Sequence, residues 1–497
     1  MEEICSMKSC TGCMACFNIC PNSAIEMKMN EKGFFYPYIN LDLCSDCGMC
    51  KKKCPVNFRA KRNDSIEKEV FAMWSLDDSI RYESSSGGAF SELAKVILND
   101  GGVVFGAYWN DEIKVVHGKI SSICELHKLR KSKYVQSSIW NTYNDVLKYI
   151  KNGKKILFCG TPCQIAGLLN VIPDNLKENL YTIDIFCFGA ASPGVFEEYK
   201  SFLENKYKKK ILKIDLRTKI TGWKKYVMSI SFEDGTKIIK PQHTSLWLND
   251  FKKALTVRES CQNCNYNNIN RIGDISLGDY WNFSPLNKFE PDDDRGISCI
   301  IVNSEKGKKL FEAIKGKTHI SARSINDILL KQKRALGSEQ LPVSDYNEFW
   351  KLYSKEGFYN TSKKFIDGGE ESAWKAAIKY QTAIDWLMMK QKGISIISYF
   401  EKKELKNIAI YGMGEFGLLL CNELENEDIN IVFTMDSERI LPYNDIPVIS
   451  MSQLKEVEDV DAIIVTPVFA YNKIKKQLEK IVDYPIISLE EIVKYNK

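Results

Sequence analysis

Cys10, Cys13, Cys16 and Cys20 are followed by Pro21, and Cys44, Cys47, Cys50 and Cys54 are followed by Pro55. Each run reads C-x2-C-x2-C-x3-C-P, and the second starts 34 residues after the first. The backbone of this region must therefore deliver eight thiols at fixed intervals. Between the runs, Ile25 to Met29, a turn over Asn30 to Gly33, and Phe34 to Ile39 predict a strand–turn–strand hairpin.

The spacing is that of a bacterial-type ferredoxin, in which three close thiolates hold one 4Fe-4S cube and the fourth reaches across to the other. The expected wiring is crossed: Cys10, Cys13, Cys16 and Cys54 on one cluster, and Cys44, Cys47, Cys50 and Cys20 on the second. Zinc needs four thiolates per ion and does not ask for this crossed pattern with both prolines. Disulfides suit a small secreted domain. Two 4Fe-4S clusters imply that the chain moves electrons one at a time.

The remaining length suggests a multidomain protein of mixed α/β and α+β class. The net charge of +5 is small for 497 residues and argues against a nucleic-acid partner, which calls for a concentrated basic face. The opening Met1-Glu2-Glu3 lacks a secretory-signal pattern. No apolar run approaches the ~18 residues of a membrane span. Seventeen cysteines without such a signal lead us to expect a reducing, cytoplasmic setting with thiols used as ligands.

Residues 1–57 read as the dicluster ferredoxin module, and 58–69 as a linker. An α/β region follows over about 70–345, with short strands at Val70–Trp74, Val103–Gly106, Ile156–Phe158 and Tyr181–Phe186, and helices at Ala89–Asn99 and Gln164–Val171. A β-rich stretch interrupts it at 211–240. Residues 346–400 read as a helical connector. The tail, 405–497, resets to strand, turn, helix and strand, a small Rossmann-like unit.

Four constellations in the α/β region bear on chemistry. Ser84-Ser85-Ser86-Gly87-Gly88 precedes a helix and suits either an ordinary cap or an anion site made of backbone N–H groups. Cys159-Gly160-Thr161-Pro162-Cys163-Gln164 leaves a strand at its C-terminal end, where α/β sheets bind ligands, and Cys163 falls near a helix start. Cys187 ends another strand, and Cys261 and Cys264 form a C-x2-C pair on a polar loop. Cys163, Cys187, Cys261 and Cys264 are thus four thiols able to meet at a third cluster, or to serve in packing; spacing alone does not choose. Cys5, Cys124, Cys299 and Cys421 read as packing residues.

The order of Trp74-Ser75-Leu76-Asp77-Asp78, Ser84–Gly88, Lys133-Tyr134-Val135-Gln136-Ser137, Cys159–Gln164, Asp184-Ile185-Phe186-Cys187, Cys261-x2-Cys264 and Gly273–Trp281 resembles the family of coenzyme F420 hydrogenase/dehydrogenase beta subunits over about residues 1–320. The resemblance implies an oxidoreductase with a flavin, FAD, beside an iron–sulfur cluster, and hydride exchange between that flavin and an organic substrate. It implies Cys163, Cys187, Cys261 and Cys264 as ligands of the third 4Fe-4S cluster, with Cys159 as the alternate. Ser85, Ser86, Gly87, Gly88, Lys133, Gln136, Thr161 and Gln164 are its implied flavin contacts. Where relatives often read Cys-His-Gly, this chain has Cys187-Phe188-Gly189, which puts the substrate and the proton donor in doubt. Four histidines (His117, His127, His243 and His319) offer no obvious general acid, so no catalytic residue is assigned. Trp223-Lys224-Lys225 supplies cations for an anionic substrate or a flavin phosphate, or is a solvated turn.

In the tail, Gly412-Met413-Gly414-Glu415-Phe416-Gly417 fits G-x-G-x-x-G between a strand and a helix, and Asp436 follows where a ribose-binding acid belongs. The closing pattern Ile446–Ser450 and Asp461–Pro467 resembles small Rossmann-like tails on proteins of sugar and surface-polysaccharide biosynthesis. The tail either binds a nucleotide or sugar nucleotide or is purely structural. The expected partners are a ferredoxin or other redox protein and a small-molecule substrate. Two rival readings are an electron-transfer subunit of a larger complex and a non-catalytic redox or sugar-nucleotide-binding module.

Overall fold

A computed structural model describes residues 3–59, 65–281, 283–286, 290, 293–329, 332, 336–337, 341, 343–365, 369–436, 446–457 and 459–495. The chain divides into two compact units, Met1–Ile366 and Asp367–Lys497. The stretch expected as one helical connector is shared between them: helix Val343–Phe365, kinked at Gly357, lies in the first, and helix Gly369–Gln391 in the second.

In the first unit the cysteine runs flank β1 (Ile25–Met29) and β2 (Phe35–Ile39), an antiparallel hairpin in register from Ile25↔Ile39 to Met29↔Phe35. Asn30 closes the turn, its side-chain oxygen accepting the Phe34 N–H at 2.9 Å. Each run carries a short helix, Ala15–Ile19 or Met49–Lys52.

The hairpin is packed into the larger fold. Ser192 Oγ donates to the Lys32 carbonyl, the Gly194 N–H donates to the Gly33 carbonyl, and Asn18 donates to the Trp140 carbonyl. Gly33 has φ of 73°, and a Cβ there would lie 2.7 Å from Gly194 Cα.

The larger part is an eight-stranded mixed sheet. Its strands are β3 (Ser65–Ser75), β4 (Val103–Trp109), β5 (Val115–Ile120), β6 (Ile156–Gly160), β7 (Leu180–Ile185) and, after an insertion holding β8 (Ile211–Thr218), β9 (Val227–Phe232) and β10 (Lys237–Pro241), β11 (Ile275–Asp279), β12 (Ser298–Ser304) and β13 (Thr318–Arg323). The order is β13-β3-β12-β11-β7-β6-β4-β5. The middle strands β4, β6, β7 and β11 are parallel, and the outer pairings are antiparallel.

Period-two alternation splits the core between the two faces. Val103, Phe105, Ile156 and Phe158 pack on one side with Ile165, Ala166 and Leu168. Val104 and Leu157 pack on the other with Leu93, Ala94 and Ile97 of helix Ala89–Asn99. The expected helix at 164–171 starts earlier, at Pro162, because proline suits the first turn. The stretch expected as β-rich is the inserted three-stranded antiparallel sheet, order β10-β9-β8.

The second unit holds β14 (Asn407–Tyr411), β15 (Asn430–Met435), β16 (Ala462–Val465) and β17 (Ile486–Ser488), all parallel in the order β15-β14-β16-β17. Ile408 and Ile410 face one apolar layer, while Ala409 faces the other with Phe433 and Ile463. Among the described residues, no helix is long and apolar enough to cross a membrane.

Candidate functional site

The four middle strands run parallel, so their C-terminal ends open on one edge of the sheet. A cavity of about 590 Å³ lies there, lined by Cys159 to Thr161 at the end of β6, Ile185 to Ala190 at and beyond the end of β7, and Leu277 to Asp279 of β11. A crevice outside the carboxyl ends of such strands is where open α/β sheets place ligands. Its volume falls in the range of small-molecule and cofactor sites.

Seven of the eight residues expected at a flavin line this cavity: Ser85, Ser86, Gly88, Lys133, Gln136, Thr161 and Gln164. Gly87 does not line it. Its N–H donates to Ser298 Oγ, and a Cβ there would fall 2.2 Å from the Met73 carbonyl oxygen, so glycine here lets two backbones touch. Ser85 Oγ accepts the Ser132 N–H, and Ser86 Oγ donates to the Ile297 carbonyl. Buried Lys219 donates to the Ser86 and Arg295 carbonyls and so pins the serine loop from behind.

Gln164 Oε1 accepts the Thr161 N–H at 3.0 Å, and its amide nitrogen donates to Ser137, joining the Cys159–Gln164 loop to the Lys133–Ser137 segment.

The cations on the wall differ from those expected. Lys224 and Lys225 are absent from the cavity lining; Arg130, Lys131, Lys133, Arg217 and Lys252 are present. Trp223 is buried, and its indole N–H donates to Asp279. Arg217 forms a bidentate pair with Asp279 at 2.6 and 2.8 Å and lies against the rings of Tyr226 and Trp281. Its Nε is buried without a hydrogen-bond partner. The cationic lining and the volume fit a flavin carrying phosphate. Arg217 escaped sequence reading because β8 belongs to the inserted sheet and carries no motif; only the fold brings it to the edge.

Burial pushes Lys133 down to about 7, and its ammonium donates to the Leu129 and Arg130 carbonyls. His117 also lines the cavity. Burial pushes it down to about 4, and its ring sits between Ser137 Oγ and the Cys159 carbonyl, so it is neutral near pH 7.

The thiols form three groups. Buried Cys13 and half-buried Cys16 lie beside Cys10 and Cys54, and a small cavity is lined by these four and Cys5. Cys50 instead has Cys20, Cys44 and Cys47 as its neighbours. The structure thus brings the eight thiols of the two runs together as two crossed fours, the donor set of two cubes.

Cys5, expected as packing, hydrogen-bonds with Cys10 and Cys54, an interaction that raises its own pKa. That contact holds Cys10 down at about 6, with Arg258 adding to the effect, and Cys54 at about 7.

The third group is assembled from distant segments. Cys163 opens the helix after β6, Cys187 follows β7, and both neighbour Cys261 and Cys264. Burial drives the thiols of Cys163 and Cys187 up. Cys159 stays apart, on the cavity wall near Lys133, and burial raises it to about 12. Cys187 belongs to the four-thiol group and also lines the cavity. Among the described residues, no three His, Cys, Asp or Glu side chains are set close enough to chelate a single ion.

A buried ion pair fastens the third group. Asp184 accepts from Arg271 at 2.7 and 3.1 Å and from the Ile272 and Gly273 N–H groups, tying the segment after Cys264 to β7 just before Cys187. Asp274 in turn accepts from Thr182 and Ser304.

Residues 153–328 match the family described as the C terminus of the coenzyme F420 hydrogenase/dehydrogenase beta subunit, and residues 9–58 the "4Fe-4S dicluster domain". A subunit of the F420H2 dehydrogenase of Methanosarcina mazei is 22% identical over 338 residues, covering 64% of this chain and 86% of that protein. The chain thus joins a region similar to coenzyme F420 hydrogenase/dehydrogenase beta subunits to an N-terminal 4Fe-4S dicluster domain.

Two further relatives match shorter stretches of the chain. The ferredoxin-type protein NapF of Haemophilus influenzae is 42% identical over 45 residues, covering 9% of this chain and 26% of that protein. An uncharacterised ferredoxin of Methanocaldococcus jannaschii is 32% identical over 57 residues, 12% of this chain and 73% of that protein. A solved chain from the F420-reducing [NiFe] hydrogenase complex of Methanosarcina barkeri is 16% identical with a TM-score of 0.38, covering 59% of this chain and 92% of its own.

Residues 404–495 match a separate family, "C2185-like, N-terminal". In this tail Gly412 has φ of 98°, and a Cβ on Gly417 would lie 2.1 Å from the Gly412 carbonyl oxygen, so both glycines serve the tight strand-to-helix turn. A Cβ on Gly414 would meet open space. Asp436 accepts the Met413 N–H at 2.6 Å, placing the expected ribose-binding acid against the glycine loop itself.

Proposed function

We propose that this protein is a cytoplasmic iron–sulfur flavoprotein oxidoreductase. It relays electrons between a ferredoxin-type partner and a flavin, FAD, in the 590 Å³ cavity, with a coenzyme F420-like or other organic molecule as the hydride partner. A third 4Fe-4S cluster is held by Cys163, Cys187, Cys261 and Cys264. When bound, the clusters carry single electrons and the flavin exchanges a hydride.

The observation that carries this reading is the double position of Cys187, in the four-thiol group and in the cavity wall. A second contact supports it on the other side. A Cβ on Gly167 would lie 3.1 Å from Cys13 Sγ, so the helix opened by Cys163 runs against the ferredoxin thiols. Tyr143 and Tyr266, both buried, neighbour Cys13 and Cys163 together. The three thiol groups and the cavity therefore form one series.

The chain's own residues do the positioning. Ser85, Ser86 and Gly88 shape a cradle at the start of helix Ala89–Asn99, whose N-terminus favours phosphate. Arg217 and Lys252 set positive charge beside the aromatic rings of Tyr226, Phe251 and Trp281, a wall suited to a planar anionic substrate.

Anaerobic purification with iron, sulfide and flavin counts tests the reading. About twelve iron and one FAD per chain are expected; about eight iron and no flavin would sink the cavity assignment. A reading as the electron-transfer subunit of a larger complex is favoured by the name of the Methanosarcina mazei relative, a dehydrogenase subunit. Ferredoxin-dependent reduction of coenzyme F420 by the isolated chain would eliminate it. For residues 405–497 we propose a Rossmann-like domain binding a nucleotide or sugar nucleotide at Gly412, Gly414, Gly417 and Asp436, in keeping with a role in polysaccharide biosynthesis.

A further inference from the structure

Among the described residues, the buried arginines follow a rule with one exception. Arg81 pairs with Asp293, Arg217 with Asp279 and Arg271 with Asp184. Arg258, only 1% exposed, has no carboxylate within ion-pair distance among the described residues.

Its guanidinium is turned instead into the first cysteine run. Nε donates to the Cys10 carbonyl at 2.6 Å, Nη2 to the Phe35 carbonyl at 2.9 Å and to Cys10 Sγ at 3.6 Å, and Nη1 to Gln136 Oε1 at 3.2 Å. The ring of Tyr36 lies 4.0 Å beneath it. A charge removed from water destabilises the fold unless an opposite charge or a full set of hydrogen bonds meets it. Among the described residues, the only anionic acceptor that Arg258 touches is the Cys10 sulfur.

The chain is shaped to admit this cation. Gly12, between Cys10 and Cys13, has φ of 68°, and a Cβ there would fall 2.8 Å from Arg258 Nη1 and 2.8 Å from Gln136 Nε2. Gln136 donates that same nitrogen to the Thr11 carbonyl, so a residue of the cavity wall braces the guanidinium. The other cysteine group has Lys51 and Lys52 nearby in sequence, but both are exposed and screened by water.

We propose that Arg258 is the counter-cation of the cluster held by Cys10, Cys13, Cys16 and Cys54, and that it raises this cluster's reduction potential above that of its partner. A positive charge and an N–H donor at a ligand sulfur favour the more negative, reduced form. Arg258 thereby makes transfer from the solvent-side group toward Cys13 and the third group downhill. It acts as a positioning residue, through Cys10. The proposal rests on these thiols holding a 4Fe-4S cluster.

The test uses the full chain, purified without oxygen, with EPR-monitored potentiometry and iron counts on wild type, Arg258→Met and Arg258→Lys. In Arg258→Met one of the two ferredoxin-type signals is expected to need a poise about 59 mV lower for the same reduced fraction, a tenfold change in its one-electron equilibrium. Arg258→Lys keeps the charge and loses the fork, and should move the same signal less, in the same direction. An unchanged potential in Arg258→Met at wild-type iron content overturns the proposal, as does a shift in Arg258→Lys as large as that in Arg258→Met. Loss of about four iron from both variants also overturns it, making Arg258 a retention residue instead. Wild-type protein with fewer than about eight iron would sink the underlying cluster reading rather than the role of Arg258.

Discussion

The eight thiols of the N-terminal runs and the four thiols around Cys187 meet in different ways. The first eight come from about fifty residues, and their crossed pairing is written in their spacing. The other four come from a helix start, a strand end and a polar loop, with 101 positions between Cys163 and Cys264. A local run needs only a hairpin to close. A dispersed group needs a finished sheet, and its thiols are only as well placed as the strands β6, β7 and β11 beneath them. The difference predicts that the two regions will respond differently to the same kind of damage.

The largest effect should come from the ligands. Cys264→Ser is expected to remove about four iron per chain and leave the two ferredoxin-type EPR signals intact. Cys20→Ser should disturb the cluster of Cys44, Cys47 and Cys50 and spare that of Cys10, its nearer neighbour in sequence. EPR of the reduced proteins reads both outcomes, and loss of the Cys10 signal in Cys20→Ser would refute the crossed grouping.

Next comes the buried pair that supports the dispersed group alone. Asp184→Asn replaces the buried carboxylate that accepts from Arg271 with a neutral amide, which should cost about 3–5 kcal/mol in chemical unfolding of the first unit. The same variant should lose the third group's iron before that of the other two. If all three fall together, the distinction between local and dispersed assembly is wrong.

The effect smallest at any single pH step is a pH dependence in the cavity wall. Lys133 is held at about 7 against an ordinary 10.5, so below pH 7 folded and unfolded chains both carry the proton. Between pH 7 and 10.5 the unfolded chain binds it and the folded chain does not, so stability rises with pH there. Lys133→Met in flavin-free protein should abolish that rise, on the order of 1 kcal/mol per pH unit. Parallel melting curves for wild type and variant across that window would refute it.

What could be read in advance follows the same division. The hairpin, helix Ala89–Asn99 and the parallel core strands were legible because each has its own period and its own turn residues. Seven cavity residues were legible because they lie in short motifs at strand ends or helix starts. Arg217, Lys252 and Tyr226 were not, since they reach the cavity from the inserted three-stranded sheet and the helix after it, where nothing in the local pattern points to a ligand. Arg258 was hidden for a similar reason: a lone arginine on a loop acquires meaning only when its partners are found 248 and 122 positions away. Lys224 and Lys225, read either as cations for an anionic ligand or as a solvated turn, are not among the residues that line the cavity.

The contact between Gly33 and Gly194 bears on how this protein exchanges electrons with others. With no room for even a methyl group between those backbones, the cysteine-rich region is a fixture and not an arm. A swinging carrier can visit two sites in turn; this one has to be visited. Traffic from outside must end at whatever face it leaves open, and Cys47 is the one thiol among its eight that is exposed there. Selection of a redox partner is thereby reduced to the shape of a small patch of immobile surface.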